Sequence, residues 1–207
     1  MRLYFFKNKL TLKFKNNAAD FIKRFSTNVV EAPRNAFVDL KGRVVAVFDQ
    51  KRVSKDEMLV VIERQFLDRV KKHLEKYLAL ESISMEETAL KSYWDLDKNG
   101  PLMLAEEPLE SHVSEEEFTL FRLKNHWPLQ GIDFDEELLL NVGNEEFVSY
   151  TKGCYFGQEV IARVHYRGKP PKQLVVAEET AENSAVLTSK TKDPATGKTI
   201  GFYMLQL

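Results

Sequence analysis

Residues 36–49 read AFVDL-KGR-VVAVFD, two β-rich runs on either side of Lys41-Gly42. Two such runs around a glycine turn form a β-hairpin. That feature excludes a purely helical fold and obliges the rest of the chain to cover a sheet. Residues 9–14, KLTLKF, alternate polar and apolar as a half-buried strand does, and the run Leu3 to Phe6 reads as a buried first strand. A short amphipathic helix follows, with Ala19, Phe21, Ile22 and Phe25 on its apolar side. Asn16 and Asn17 are turn or cap residues before it, and Ser26-Thr27-Asn28 ends it.

From Leu59 to Leu80 an apolar run becomes periodic. Phe66, Leu67, Val70, Leu74, Tyr77 and Leu78 share one helical face. Residues 82–90 and 91–96 read as strands and 97–101 (DKNGP) as a turn. Helix and strands mixed in this order predict an α+β fold. The acidic stretch 105–117 is a solvated loop and helix start. Ser114 and Glu117 there have capping-box spacing, and a helix over 115–124 would bury Phe118 and Phe121 and carry Arg122. Residues 171–207 form short β-rich runs divided by polar turns, a small β module.

Several function classes fall away on composition. The chain has 207 residues, and 30 basic against 31 acidic residues leave a formal net charge of -1, so no global field draws it to nucleic acid or anionic membrane. No stretch approaches the ~20 apolar residues of a membrane span. The four-residue apolar run at the start is too short for a secretory signal, whose apolar region needs about 7–15 residues. One cysteine, Cys154, allows no intramolecular disulfide and suits a reducing, cytoplasmic setting. With four scattered histidines it makes no zinc site, and the chain alone cannot supply the cysteines of an iron–sulfur cluster.

The segment with chemical content is Lys152-Gly153-Cys154-Tyr155-Phe156-Gly157-Gln158-Glu159, followed by Val160-Ile161-Ala162-Arg163. Gly153 and Gly157 bracket the cysteine. After Gly157 the pattern turns helical, so Cys154 falls in a loop before a helix N-terminus, where free N–H groups and Lys152 favour a thiolate. A buried, inert thiol is the alternative. Gln158 and Glu159 can hydrogen-bond a ring with adjacent donors and acceptors, and Tyr155 and Phe156 can stack on it. The same residues serve equally well as helix cap and core. The cationic run Arg163, His165, Arg167, Lys169 and Lys172 suits a polyanionic tail or is a solvated helix end.

The octet 152–159 resembles the KGCYxGQE signature of the YgfZ-type folate-binding protein family, with Phe156 at the variable position. The flanking run 160–169, the helix and Thr-Asn ending at 20–29, the Gly42-Arg43 turn and Phe121-Arg122-Leu123 with Pro128 and Gly131-Ile132 resemble the family too. The likeness runs from about residue 10 to 175. It implies a fold similar to the T-protein of the glycine cleavage system: a folate-binding core over 1–170, an interleaved ferredoxin-like α+β subdomain over 36–104, and a shortened C-terminal β module over 171–207.

The resemblance also implies tetrahydrofolate or a one-carbon derivative as cofactor. It implies an accessory role in assembling, maintaining or repairing iron–sulfur enzymes, including those that modify tRNA. Partners would be iron–sulfur assembly proteins or client enzymes, with no direct nucleic acid and no membrane. By position, Cys154 becomes the key thiol with Lys152 beside it. Tyr155, Gln158, Glu159 and Arg163 belong to the folate site, and Arg122 partners the folate carboxylates.

Three departures bear on activity. The strand after the hairpin, Val44-Val45-Ala46-Val47, has no acid before Asp49, which argues against the T-protein's aminomethyl transfer. The Pro-x-Glu-like segment expected before the signature reads Leu140-Asn141-Val142-Gly143-Asn144-Glu145, with Glu145 or Glu146 as stand-in. Residues 171–207 are short for the C-terminal module. A one-carbon transferase and a thiol scaffold with a decayed folate pocket are the rival readings.

Overall fold

The computed structural model describes residues 1–98, 102–143 and 145–207; the turn at 97–101 falls outside them from residue 99 on, as does Asn144. The strands are β1 (Leu3–Phe5), β2 (Lys9–Lys15), β3 (Arg34–Val38), β4 (Val44–Arg52), β5 (Glu57–Glu63), β6 (Ser84–Thr88), β7 (Lys91–Asp95), β8 (Leu102–Ala105), β9 (Lys172–Glu178), β10 (Thr188–Lys192) and β11 (Thr199–Gln206). The helices are α1 (Ala18–Phe25), α2 (Leu67–Leu80), α3 (Glu115–Lys124) and α4 (Gln158–Arg167).

The largest sheet has the order β3-β4-β5-β2-β6, antiparallel throughout. Period-2 alternation puts Leu10, Leu12 and Phe14 of β2 and Met58, Val60 and Ile62 of β5 on one face. Phe21, Ile22 and Phe25 of α1 and Val70 and Leu74 of α2 cover that face in a single core. β2-α1, then β4-β5, then α2-β6 make a split βαβ unit, and β3 extends its edge. The apolar run after residue 57 becomes strand β5 before the helical period begins at α2.

Two smaller sheets pack beside it. β1-β7-β8 forms one, and its core joins Phe6, Trp94, Phe118 and Trp127. Ser114 caps α3 by accepting the Glu117 N–H at 3.1 Å. The other is β10-β11-β9, whose Leu174 and Phe202 share a core with Ile161 of α4 and Leu139. Asn16 and Asn17 both take positive φ, 69° and 60°. Asn17 precedes α1 without a side-chain cap bond.

Candidate functional site: the Cys154 loop

The loop that carries Cys154 is fixed at both ends by α1. At one end Lys152 donates from Nζ to the carbonyls of Lys23, Ser26 and Asn28 at 2.7, 2.7 and 2.8 Å. These are carbonyls at and just past the C-terminus of α1, where the helix leaves acceptors unpaired and its dipole is negative. The ammonium also lies 4.8 Å from the Tyr155 ring centroid. Burial, with Lys23 second, pushes the Lys152 pKa down to about 7. The three acceptors act the other way, because satisfying all of them takes the three N–H groups of the charged form.

At the other end the Phe156 N–H donates to Arg24 O at 2.8 Å. The Phe156 ring packs into the main core, 6.0 Å from Phe25, 5.7 Å from Tyr77 and 5.4 Å from His73. Phe156 therefore anchors the loop, its half-buried ring packed against the main core. Upstream, Ser149 N donates to Thr27 O, Thr27 Oγ1 donates to Phe147 O and Asn28 Nδ2 donates to Glu146 O. The buried Thr27-Asn28 pair thus ties the cysteine strap to the end of α1.

Gly157 turns the chain into α4 with φ 80°. A Cβ there would collide with the Asp39 carbonyl and lie 2.9 Å from Val38 Cγ2. Only glycine allows both the left-handed turn and this approach to the β3–β4 hairpin. Gln158 Oε1 accepts the Tyr155 N–H at 3.1 Å, closing the turn.

Between these anchors Cys154 is exposed, which removes the buried-thiol alternative. It opens on a cleft of about 380 Å³ with Asn17, Asp20, Lys23 and Arg24. Arg24 is held by Glu81 through Nη1 at 2.7 Å. The Tyr155 hydroxyl is half-buried, and burial, with Tyr150 second, pushes its pKa up to about 12, so it stays a donor. Glu159 and Arg163 are exposed on α4. Lys152, Cys154, Tyr155 and Gln158 therefore come together in one turn of chain, with Glu159 and Arg163 on the adjoining helix.

Arg122 lies elsewhere. Its guanidinium donates to Asp133 Oδ2 at 2.8 Å, Ser189 Oγ at 2.7 Å and Trp127 O at 3.3 Å, joining α3 to β10. Among the described residues its hydrogen bonds and ion pair run to Trp127, Asp133 and Ser189, away from the cysteine loop.

A second polar cluster, which local sequence pattern does not signal, sits between the five-stranded sheet and the Trp94–Trp127 pair. Asp49, 3% exposed, accepts Lys9 Nζ at 2.6 Å and faces Arg34 Nε at 3.5 Å. Arg34 also pairs with Glu146 at 2.6 Å and lies 3.7 Å from the Trp127 ring centroid. Beside them burial raises the Glu63 pKa. The cavity they line has about 20 Å³, room for one water. The acid on β4 is thus engaged by two cations and is no free base. Among the described residues no three of His, Cys, Asp and Glu are grouped to hold a metal ion. Nor is any described helix long and apolar enough to cross a membrane.

Comparison with known proteins adds the fold. No family model matches the chain. An uncharacterized protein from Haemophilus influenzae is 22% identical over 176 residues, covering 75% of this chain and 63% of that protein. The chain thus spans less than two thirds of that relative's length. The crystal structure of glycine cleavage system aminomethyltransferase T from Bartonella henselae superposes with a TM-score of 0.73 at 10% identity, covering 99% of this chain and 78% of that one. The chain is an α+β protein with the T-protein fold.

Proposed function

We propose that this protein is a tetrahydrofolate-binding accessory factor that supports iron–sulfur enzymes through the Cys154 thiol. The observation that carries the reading is the exposed thiol held on a short loop pinned at Lys152 and Phe156. A structural cysteine needs burial and no anchoring, whereas a working thiol needs exposure and a fixed position. The T-protein fold and the KGCYxGQE-like octet support the folate part.

The residues around Cys154 fit a reduced pterin by chemistry. Within the cleft Asp20 is an acceptor for its amino and ring N–H groups and Lys23 is a donor for its carbonyl, and Glu159 is an exposed acceptor on the adjoining helix. The one-water cavity at the sheet junction does not hold such a ring in this conformation. Tetrahydrofolate, when bound, supplies a carrier for a one-carbon unit. The protein's own residues position the ligand and present the thiol.

The test is an anaerobic calorimetric titration with tetrahydrofolate, paired with cellular complementation by Cys154→Ala. Saturable binding near one per chain, with loss of iron–sulfur enzyme support in the variant, is expected. Absence of binding while support persists through Cys154 would leave a thiol scaffold instead. Full support in Cys154→Ala would remove the thiol from the function.

A further inference from the structure

His73 lies midway along α2 and is half-buried. Val70, Leu74 and Tyr77 form the inward stripe of that helix, and His73 adjoins it one turn before Tyr77. The His73 ring stands edge-on to Phe156, with 5.4 Å between centroids and an interplanar angle of 79°, and lies 6.4 Å from Phe37. Tyr77 and Phe25 pack on the same Phe156 ring at 5.7 and 6.0 Å. Phe156 is the residue that seats one end of the cysteine loop, so His73 forms part of its socket. Within that socket His73 Nε2 is buried and has no hydrogen-bond partner.

The two protonation states of the imidazole suit this place unequally. A neutral ring can carry its proton on Nδ1 and leave Nε2 a bare acceptor. An imidazolium carries a donor at both nitrogens, and at Nε2 that donor would have nothing to bond. Phe37 from β3 and Phe156 from the cysteine loop face the ring with apolar surface. The charge that acts on it is Asp39, at the β3–β4 turn. Burial pushes the His73 pKa below the ordinary histidine value, and Asp39 pulls the other way without cancelling it. A histidine held neutral in this way favours the packed state fully above its unfolded pKa of about 6.5, and that contribution is lost as pH falls through the window below it.

We propose that His73 is an acid-operated latch on the Cys154 loop. Gaining a proton at Nε2 drives the imidazole from the ring socket toward water, and Phe156 loses one wall. The Phe156 N–H bond to Arg24 O then holds that end of the loop with less packing behind it. Near neutral pH the thiol stands in a fixed position, and in mild acid residues 153–156 loosen. The latch deepens the reading of Cys154 given above by adding a regulator to that site, while the coupling itself belongs to the fold and needs no ligand.

The test is hydrogen exchange of the ligand-free protein at about pH 7.5 and about pH 5, corrected for the intrinsic pH dependence of exchange, on wild type and His73→Phe. Phenylalanine keeps a ring in the socket and cannot take a proton. Protection of residues 153–156 in wild type is expected to fall at least about tenfold in acid, with β2 and β5 unchanged, and to stay level in His73→Phe. Loop protection that does not change in wild type overturns the latch. So does an equal fall in His73→Phe, which assigns the effect to another group. Greater protection in acid overturns it too, because a cation would then be held on the Phe156 ring instead of expelled. The readout is loop motion, so a failed latch leaves the functional reading of Cys154 standing. Full iron–sulfur enzyme support by Cys154→Ala would remove that reading and leave the latch intact.

Discussion

Replacing Lys152 by methionine keeps the length and apolar stem of the side chain and removes only its ammonium. The wild-type group makes three short bonds to the Lys23, Ser26 and Asn28 carbonyls. A hydrogen bond from a charged donor contributes about 1.5–3 kcal/mol net. The three cannot be summed, because they share one charge and water reaches part of the site once the ammonium is gone. Desolvation of the ammonium, which drags its pKa down to about 7, offsets more of the gain. A net loss of about 2–3 kcal/mol remains. At roughly 2–4 °C per kcal/mol for a chain of this size, Lys152→Met should melt about 4–12 °C lower by differential scanning calorimetry. Hydrogen exchange should quicken at residues 26–28 and 153–156 and stay unchanged in β2 and β5, and alkylation of Cys154 should become faster and less uniform. A melting temperature within 1 °C of wild type, with unchanged exchange in the loop, would refute the clamp.

Gly157→Ala should destabilise by about 2 kcal/mol or more, since strain at positive φ combines with a clash against the immovable Asp39 carbonyl; urea titration measures it. Arg122→Met leaves Asp133 buried without its cation and should cost about 3–5 kcal/mol, with the β10 sheet loosening first in hydrogen exchange. Glu63→Gln tests linkage at the sheet junction. Burial raises the folded pKa of Glu63 above its unfolded value, so the folded state binds the proton more tightly and wild type loses stability as pH climbs through that window. The variant should therefore melt higher than wild type at pH 7 and level with it at pH 4.

The parts of this molecule that local pattern governs were legible in the sequence. The hairpin at 36–49, the strand at 9–14, the α1 face of Phe21, Ile22 and Phe25, and the Ser114 cap all depend on neighbours a few residues away. So does the loop-to-helix switch at Gly157, because a glycine before an amphipathic run is a local signal. The role of Lys152 was not readable. Its acceptors lie well over a hundred residues away, and an isolated lysine beside a cysteine looks the same whether it tunes the thiol or clamps a helix. Phe156 is similar: nothing local distinguishes a ring that stacks on a ligand from one that enters the core of α1 and α2. Arg122 and the Lys9–Asp49–Arg34–Glu146 network depend on which sheets meet, and one-dimensional spacing is blind to that. Strand β5 shows the milder form of the same limit, since a short apolar run fits strand or helix until its partner strands are known.

The two anchors of the cysteine loop also limit how the thiol can move. Only Gly153, Cys154 and Tyr155 separate Lys152 from Phe156, and each end is bonded to α1. A segment that short limits the travel of the sulfur, because a residue adds at most about 3.5 Å of reach, with one end held through the Lys152 side chain and the other through the Phe156 backbone. Any reaction at Cys154 therefore needs the other molecule to supply the travel, with a protruding or flexible reactive group brought to a stationary sulfur. Under the proposed function, a partner that reacts at Cys154 should carry such a mobile element, and inserting one residue between 152 and 156 should misplace the sulfur while leaving the fold intact.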